Sequence, residues 1–322
     1  MDRLANLLIA VVGVPLVLTG YIVLCEQLLR AVPRGWRGSI RPWLWIGPAL
    51  AMVTTFLVYP TIGTILYSLR NATGDEFVGL ANYATIFSGE AFLIAVRNNV
   101  LWVVLFTGLV LVLGLLIAIL ADRVRYESVA KSLIFLPMAV SFVAAGVIWR
   151  FMYAYQPPGA PQTGTVNAIL TTLGTDPHPF IIEPPGNNFA LIVAAVWVWT
   201  GFAMVVLSAA LKGIPAEILE AARVDGAGEL RIFGSMIFPL LTPTLAVIGT
   251  TLVIFALKAF DIVYVMTSGN YDTNVLALFM YQQLFNARDL GRASAVAVIL
   301  LAAVIPVLVV NVSRFRFQES VR

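Results

Sequence analysis

The sequence predicts an all-α integral membrane protein, with a six-helix core preceded by one extra transmembrane helix. Three observations predict it. Of 322 residues, 60% are hydrophobic and only 11% are charged, which is more apolar surface than one soluble core can bury. Uncharged runs recur that are long enough to cross a hydrocarbon core about 30 Å thick, which takes about 20 helical residues. The runs are continuously apolar and do not alternate, so their backbone groups find partners within helices and not in a barrel.

The elements follow in order. Ala5 to Cys25 comes after a short basic start and has the outline of a secretory signal peptide. Its apolar stretch exceeds a signal's, however, and Glu26 to Arg30 offers no small-residue cleavage site, so a retained helix is expected. The remaining spans are read at Pro42 to Leu69, Asn98 to Ala121, Ser132 to Trp149, Asn187 to Leu211, Ile232 to Leu257 and Ala293 to Ser313. The expected division is an extra helix with a basic linker (1–41), a core (42–317) containing a loop at 212–239, and a tail (318–322).

Lys and Arg concentrate in short cytoplasmic loops, which orients the bundle. With the C-terminus inside, those loops hold Arg30, Arg34, Arg37, Arg41, Arg123, Arg125, Lys131, Lys212, Arg223, Arg231, Arg314, Arg316 and Arg322, or 13 of the 20 cations. The other side keeps Arg3, Arg70, Arg97, Arg288 and Arg292, with Arg150 and Lys258 near the outer helix ends. Seven spans then put the N-terminus outside.

The single Cys25 and single His178 exclude a disulfide framework and argue against a multi-ligand zinc site. Cys25 reads as a buried apolar filler and His178 as a solvated loop residue. The loop from Gln156 to Asn188 holds seven prolines (157, 158, 161, 177, 179, 184 and 185), which rule out a long helix and suit an extended, ordered surface or a docking cap, with a passive connector as the equal alternative. From Thr273 to Arg288, apolar residues at helical spacing predict a short interfacial helix.

The loop between the fifth and sixth spans is the informative element. Pro215 suits a first helical position and Glu217 the first turn; Ile218, Leu219 and Ala222 against Glu220 and Arg223 make the segment amphipathic. Asp225-Gly226 stops that helix, because Gly takes the positive φ of a tight reversal, and a second helix is expected from Ala227. Small Ala221 and Ala222 permit close approach to a partner, with Glu220 and Asp225 as charges at the rim.

Glu220-Ala221-Ala222, Gly226 and Met236-Ile237-Phe238-Pro239 together resemble the EAA loop of ABC importer permeases, with Met236 and Phe238 in place of the usual Ile and Leu. Glu-Ala-Ala-x-x-Asp-Gly-Ala arises by chance on the order of once in a million starting positions. The resemblance extends over residues 42–317. With Phe260-Asp261 to Tyr264 and Gly291 to Ala295, it is nearest to sugar permeases of the maltose type, and within those to alpha-glucoside permeases. It implies an inner-membrane subunit without catalytic residues, metal or cofactor of its own. Glu220, Ala221, Ala222, Asp225, Gly226 and Ala227 would dock on an ATPase subunit dimer that binds ATP and magnesium. The other implied partners are a second homologous permease and an extracytoplasmic sugar-binding protein; no nucleic acid is involved. No Gly-x-x-x-x-Gly-Lys-Ser/Thr cradle occurs in the chain, so the energy must be borrowed. The solute is read as an alpha-glucoside or other oligosaccharide, with another polar solute such as glycerol phosphate as the alternative.

Sugars need hydroxyl partners and aromatic faces, which makes Trp197, Trp199, Thr200, Thr250, Thr251 and Asp261 pathway candidates. Against this, tryptophans also mark membrane interfaces and threonines bond their own helix. Lys258 and Asp261 are expected to pair on one helix face, and Arg150 to snorkel or line the cavity. A secondary transporter would need intramembrane carboxylates, and a membrane enzyme paired acids or metal ligands; neither set is present mid-span. A helix merely lying on lipid would be more basic than 215–226.

Overall fold

The structure is a computed structural model describing residues 2–122 and 124–320, with side chains described for 11–13, 15–122 and 124–309. The expectations placed on Arg123 and Arg322, on residue 321 of the tail, and on the side chains of Arg3, Arg314 and Arg316 lie outside the described residues. Among the described residues, six helices are long and apolar enough to cross a membrane, and seven spans result when one bent pair counts as a span. The chain forms two compact units, Met1–Thr64 and Ile65–Arg322.

The first unit contains α1 (Asp2–Ala31) and most of α2 (Arg34–Tyr67). Pro33, with an extended ψ of 142°, separates them. Tyr21 donates to the Leu44 carbonyl and meets Trp45 edge-on, its ring centroid 6.3 Å away. Cys25 is buried, as expected of a filler. Arg37 closes the turn between the helices by donating to Arg30 O and Val32 O, each at 2.9 Å.

The second unit contains α3 (Ala81–Phe87), α4 (Glu90–Ala121), α5 (Glu127–Phe135), α6 (Phe142–Met152), α7 (Thr165–Thr172), α8 (Gly186–Lys212), α9 (Ala216–Val224), α10 (Glu229–Leu257), α11 (Asp261–Thr267), α12 (Leu276–Tyr281) and α13 (Leu290–Ser320). Helix α8 is its axis, with Leu191, Ile192, Met204 and Leu207 among the largest fully buried side chains. Lipid tails are as apolar as Leu, so helices in a bilayer associate through close packing at small residues. A Cβ added at Gly114 of α4 would sit 2.6 Å from Ala203 Cβ, and one at Gly201 would sit 2.5 Å from the Ile134 carbonyl oxygen. Backbone therefore meets backbone where α4 and α5 cross α8.

The fourth expected span is not one straight helix. Helices α5 and α6 meet at 101°. A 3-10 turn, Leu136–Ala139, with Pro137 in its first positions, ends α5; Val140 is extended, and Ser141 restarts the chain by accepting from Ala144 N at 3.2 Å. Serine at that position satisfies an otherwise unpaired helix-start N–H, so the break costs little. Lys258 and Asp261 also fall on two helices, because Lys258 caps α10 and Phe260 (φ −144°) precedes α11; they are not joined on one face as expected. Arg150 reaches the Val265 carbonyl at 3.4 Å.

Asparagines fix the end of this unit away from α9. Asn98 donates to the carbonyls of Asp272 and Asn274, both at 2.7 Å, Asn187 to Tyr271 O at 2.6 Å, and Asn188 to Asp272 O at 3.2 Å. Asn99 donates to Ala256 O and Leu257 O at 3.3 and 3.2 Å and accepts from Leu276 N at 2.7 Å. The helix expected at the membrane interface, α12, is instead packed inside, with Leu276, Leu278 and Phe279 buried. The proline-rich loop is ordered around Asn167. That side chain is fully buried, donates to Ala154 O and His178 O at 3.0 and 3.1 Å, and accepts from His178 N at 2.8 Å. His178 itself is half-exposed, its Nδ1 3.7 Å from Glu183.

Candidate coupling loop and transport pathway

Helix α8 runs almost directly into α9. Gly213 N donates to Ala209 O and Ala210 O at 3.2 Å, and Ile214 N to Leu211 O at 3.1 Å, so the connector has little freedom. Pro215 is the N-cap of α9 and not its first helical residue, because its ψ of 129° is extended; its carbonyl accepts from Ile218 N at 3.3 Å. Glu217 lies in the first turn, where the helix dipole favours a carboxylate.

The helix stops as Asp225-Gly226 predicts. Gly226 has φ +80°, its N donates to Arg223 O, and Ala227 N donates to Ala222 O, both at 3.0 Å. This pair of bonds satisfies the last carbonyls of the helix and needs a left-handed residue between them. Ala227 and Gly228 stay outside helix, so α10 begins at Glu229, two residues later than expected. Arg223 Nε lies 2.9 Å from Glu229 Oε1 across the turn, and this carboxylate holds the guanidinium above its ordinary pKa.

Ala222 is buried, while Glu220, Ala221 and Asp225 face outward. Val224 and Leu230 are 87% and 89% exposed, unusual for large apolar side chains. Separately, Ile218, Ala221, Ala222, Asp225, Gly226 and Arg231 line a groove of about 610 Å³.

The pathway candidates separate. Trp199 joins a ring cluster drawn from four helices. It stacks on Phe142 (6.3 Å, 13°), meets Phe255 at 4.8 Å and Phe202 at 5.5 Å, and touches Phe106 at 6.4 Å, beside which lies Trp102. Trp102 and Phe106 are buried. Among the described residues, the Trp102, Trp149 and Trp199 indole N–H groups have no hydrogen-bond partner. Trp197 faces away from the cluster, edge-on to Trp149 at 5.9 Å. Thr200, Thr250 and Thr251 donate to Val196, Ala246 and Val247 carbonyls in their own helices, at 2.7, 2.7 and 3.1 Å. Asp261 lines a cavity of about 20 Å³ with Trp102, Phe142, Phe255, Lys258 and Phe260. That is room for about one water and no sugar ring, so the cluster is closed. Trp102, Phe106, Phe142 and Phe255 were not legible as one group, since only the fold brings them together.

The profile of the family described as "Binding-protein-dependent transport system inner membrane component" matches residues 110–322. The osmoprotective compounds uptake permease protein GgtC of Synechocystis sp. is 51% identical over 279 residues, which cover 87% of this chain and 100% of that protein. The alpha-glucoside transport system permease protein AglF of Rhizobium meliloti is 45% identical, over 85% of this chain and 82% of that one. Among solved structures, a chain of a bacterial ABC transporter involved in the import of the acidic polysaccharide alginate superposes with a TM-score of 0.72 at 24% identity, over 88% of this chain and 99% of that one; the two share a fold.

Proposed function

We propose that this chain, which belongs to the family of binding-protein-dependent transport system inner membrane components, is the sugar-conducting permease subunit of an ATP-driven importer. The observation that carries the reading is the α9 loop. It is a short helix joined to a core helix by a tight connector, ended by a left-handed glycine, with Val224 and Leu230 strongly exposed nearby and a groove along its own face. Glu220, Ala221, Asp225, Gly226 and Ala227 form the face that seats on an ATPase subunit, with Ala222 packed beneath it. A second permease completes the pathway, and an external binding protein delivers the solute at the asparagine-pinned end. The division at residues 41 and 42, the N-terminus outside and the C-terminus in the cytoplasm belong to the same proposal.

The cargo is a small neutral alpha-glucoside. Such a solute fits the alpha-glucoside transport of the AglF relative, while GgtC takes up osmoprotective compounds. The ring cluster around Trp199 supports it: uncharged aromatic faces stack on sugar rings, and the unpartnered indole N–H groups suit hydroxyls. Of the remaining pathway candidates, Trp197, Thr200, Thr250, Thr251 and Asp261, the hydroxyls are already committed to helix carbonyls and rank below Trp199.

The test is uptake into vesicles holding the chain with its partner permease and ATPase subunits, supplied with the cognate binding protein. An alpha-linked disaccharide is expected to accumulate only with ATP inside the cytoplasmic compartment. Accumulation without nucleotide would refute the ATP-driven reading; uptake of a zwitterionic osmoprotectant in preference to every glucoside would refute the cargo.

A further inference from the structure

One ion network joins three helices at the α9 end of the core. Lys131 of α5, its side chain 14% exposed, lies 2.6 Å from Glu127 Oε1 and also contacts the Asp122 carboxylate just past α4 and Ser208 Oγ of α8. Ser208 donates to Asp122 Oδ1 at 2.9 Å. Glu127 in turn takes Lys212, the last residue of α8. A lysine withdrawn from water this far is tolerated only when its charge is met, and here two carboxylates and a hydroxyl meet it. The same three helices are packed backbone to backbone at Gly114 and Gly201.

Helix α10 is held differently. Its far end is pinned by Asn99 of α4 at Ala256 O and Leu257 O. Its near end lies across a groove of about 540 Å³ whose walls are mostly apolar, Leu115, Ile119, Phe233 and Ile237 among them, and which Asp122, Lys212 and Glu229 border with charge. The contact at Gly249 is an ordinary one, 3.6 Å from Leu111 to an added Cβ. One side of the groove is thus clamped by charge and close packing, while α10 on the other side is held through apolar side chains such as Leu241, Ile248 and Leu252 and through the Arg223–Glu229 pair at its start.

We propose that Lys131 is a positioning residue for energy coupling: its network makes the α9-side ends of α4, α5 and α8 one rigid arm, against which the apolar-packed α10 shifts. This rests on the reading of the chain as an ATP-driven permease. A displacement delivered to α9 passes through the tight connector into Ser208 and Lys212. With the network whole, α4, α5 and α8 take up that displacement as one body and the relative motion falls on α10. With it broken, α5 slides along α8 and the displacement is lost before it reaches α10.

The experiment measures ATP hydrolysed per sugar imported by the reconstituted assembly. Lys131→Gln and Asp122→Asn are expected to raise that ratio by about fivefold or more, the low end of ordinary coupling energies, at wild-type recovery of the assembly. Lys131→Arg, and the exchange Asp122→Lys with Lys131→Asp, are expected to restore it. A merely structural role would lower hydrolysis and uptake together and leave the ratio unchanged; that outcome, or a swap no better than the single variants, overturns the inference. If the wild-type assembly imports nothing with ATP, the functional reading falls and this one with it.

Discussion

Gly201→Ala measures how closely the bent span rests on α8. The added Cβ would sit 2.5 Å from the Ile134 carbonyl oxygen and 2.6 Å from Phe135 Cα, against an ordinary contact of 3.4 Å or more. The α5 backbone therefore has to retreat by about 0.9 Å, and it cannot do so by a rotamer change because both atoms are main chain. Overpacking of a well-packed site costs about 1–3 kcal/mol. Gly108, in α4 with nothing within 4 Å of its added Cβ, is the control. There alanine removes backbone freedom from the unfolded chain and is expected to be neutral or to stabilise by up to about 1 kcal/mol. Denaturation of the two purified variants in mixed micelles, followed by tryptophan fluorescence, compares them directly. A Gly201→Ala protein as stable as Gly108→Ala would refute the close packing of α5 on α8, and with it the rigid arm.

Other expectations follow from single contacts. Asn99→Leu leaves the Leu276 N–H and the Leu257 carbonyl without the Asn99 side chain, while Ala256 O keeps Ala259 N; this is expected to destabilise the purified chain by about 1–3 kcal/mol in the same denaturation assay. Glu220→Lys reverses a charge on the exposed face of α9 and is expected to leave the chain folded while abolishing its capture of the ATPase subunit in a detergent pull-down; normal capture and transport would contradict the docking assignment. Trp199→Phe keeps a ring in the cluster but removes an indole N–H. Its expected effect is a rise of about two- to tenfold in the apparent KM of uptake, the worth of one hydrogen bond, with yield unchanged.

What the sequence made legible was whatever is written locally. Six of the seven spans could be read because an uncharged run and a transmembrane helix are nearly the same statement. The reversal at Gly226 could be read because only that residue type takes its φ of +80° cheaply. The break at Val140 was hidden, since Ser132 to Trp149 is as apolar as a straight span and the bend depends on Pro137, on Ser141 capping α6, and on Gly201 receiving the backbone. Lys131 was legible only as one cation of an inner loop. Its partner Ser208 lies 77 residues away, and nothing in either neighbourhood announces the other. The aromatic cluster was half-seen for the same reason: Trp199 stood out as a tryptophan in mid-span, whereas Phe142 and Phe255 look like ordinary lipid-facing residues until the helices are assembled.

The asparagine pins act on carbonyl oxygens, which every residue type possesses. Asn98, Asn187 and Asn188 grip positions 271, 272 and 274 by the main chain, and the Tyr271 and Asp272 side chains stay in the open with left-handed φ of 57° and 59°. Shape and surface are therefore separable here. Residues tolerant of that φ, such as Asn or Gly, are interchangeable at 271 and 272 without relaxing the loop, so the face it shows to a visiting protein is free to diverge while the scaffold beneath it stays the same.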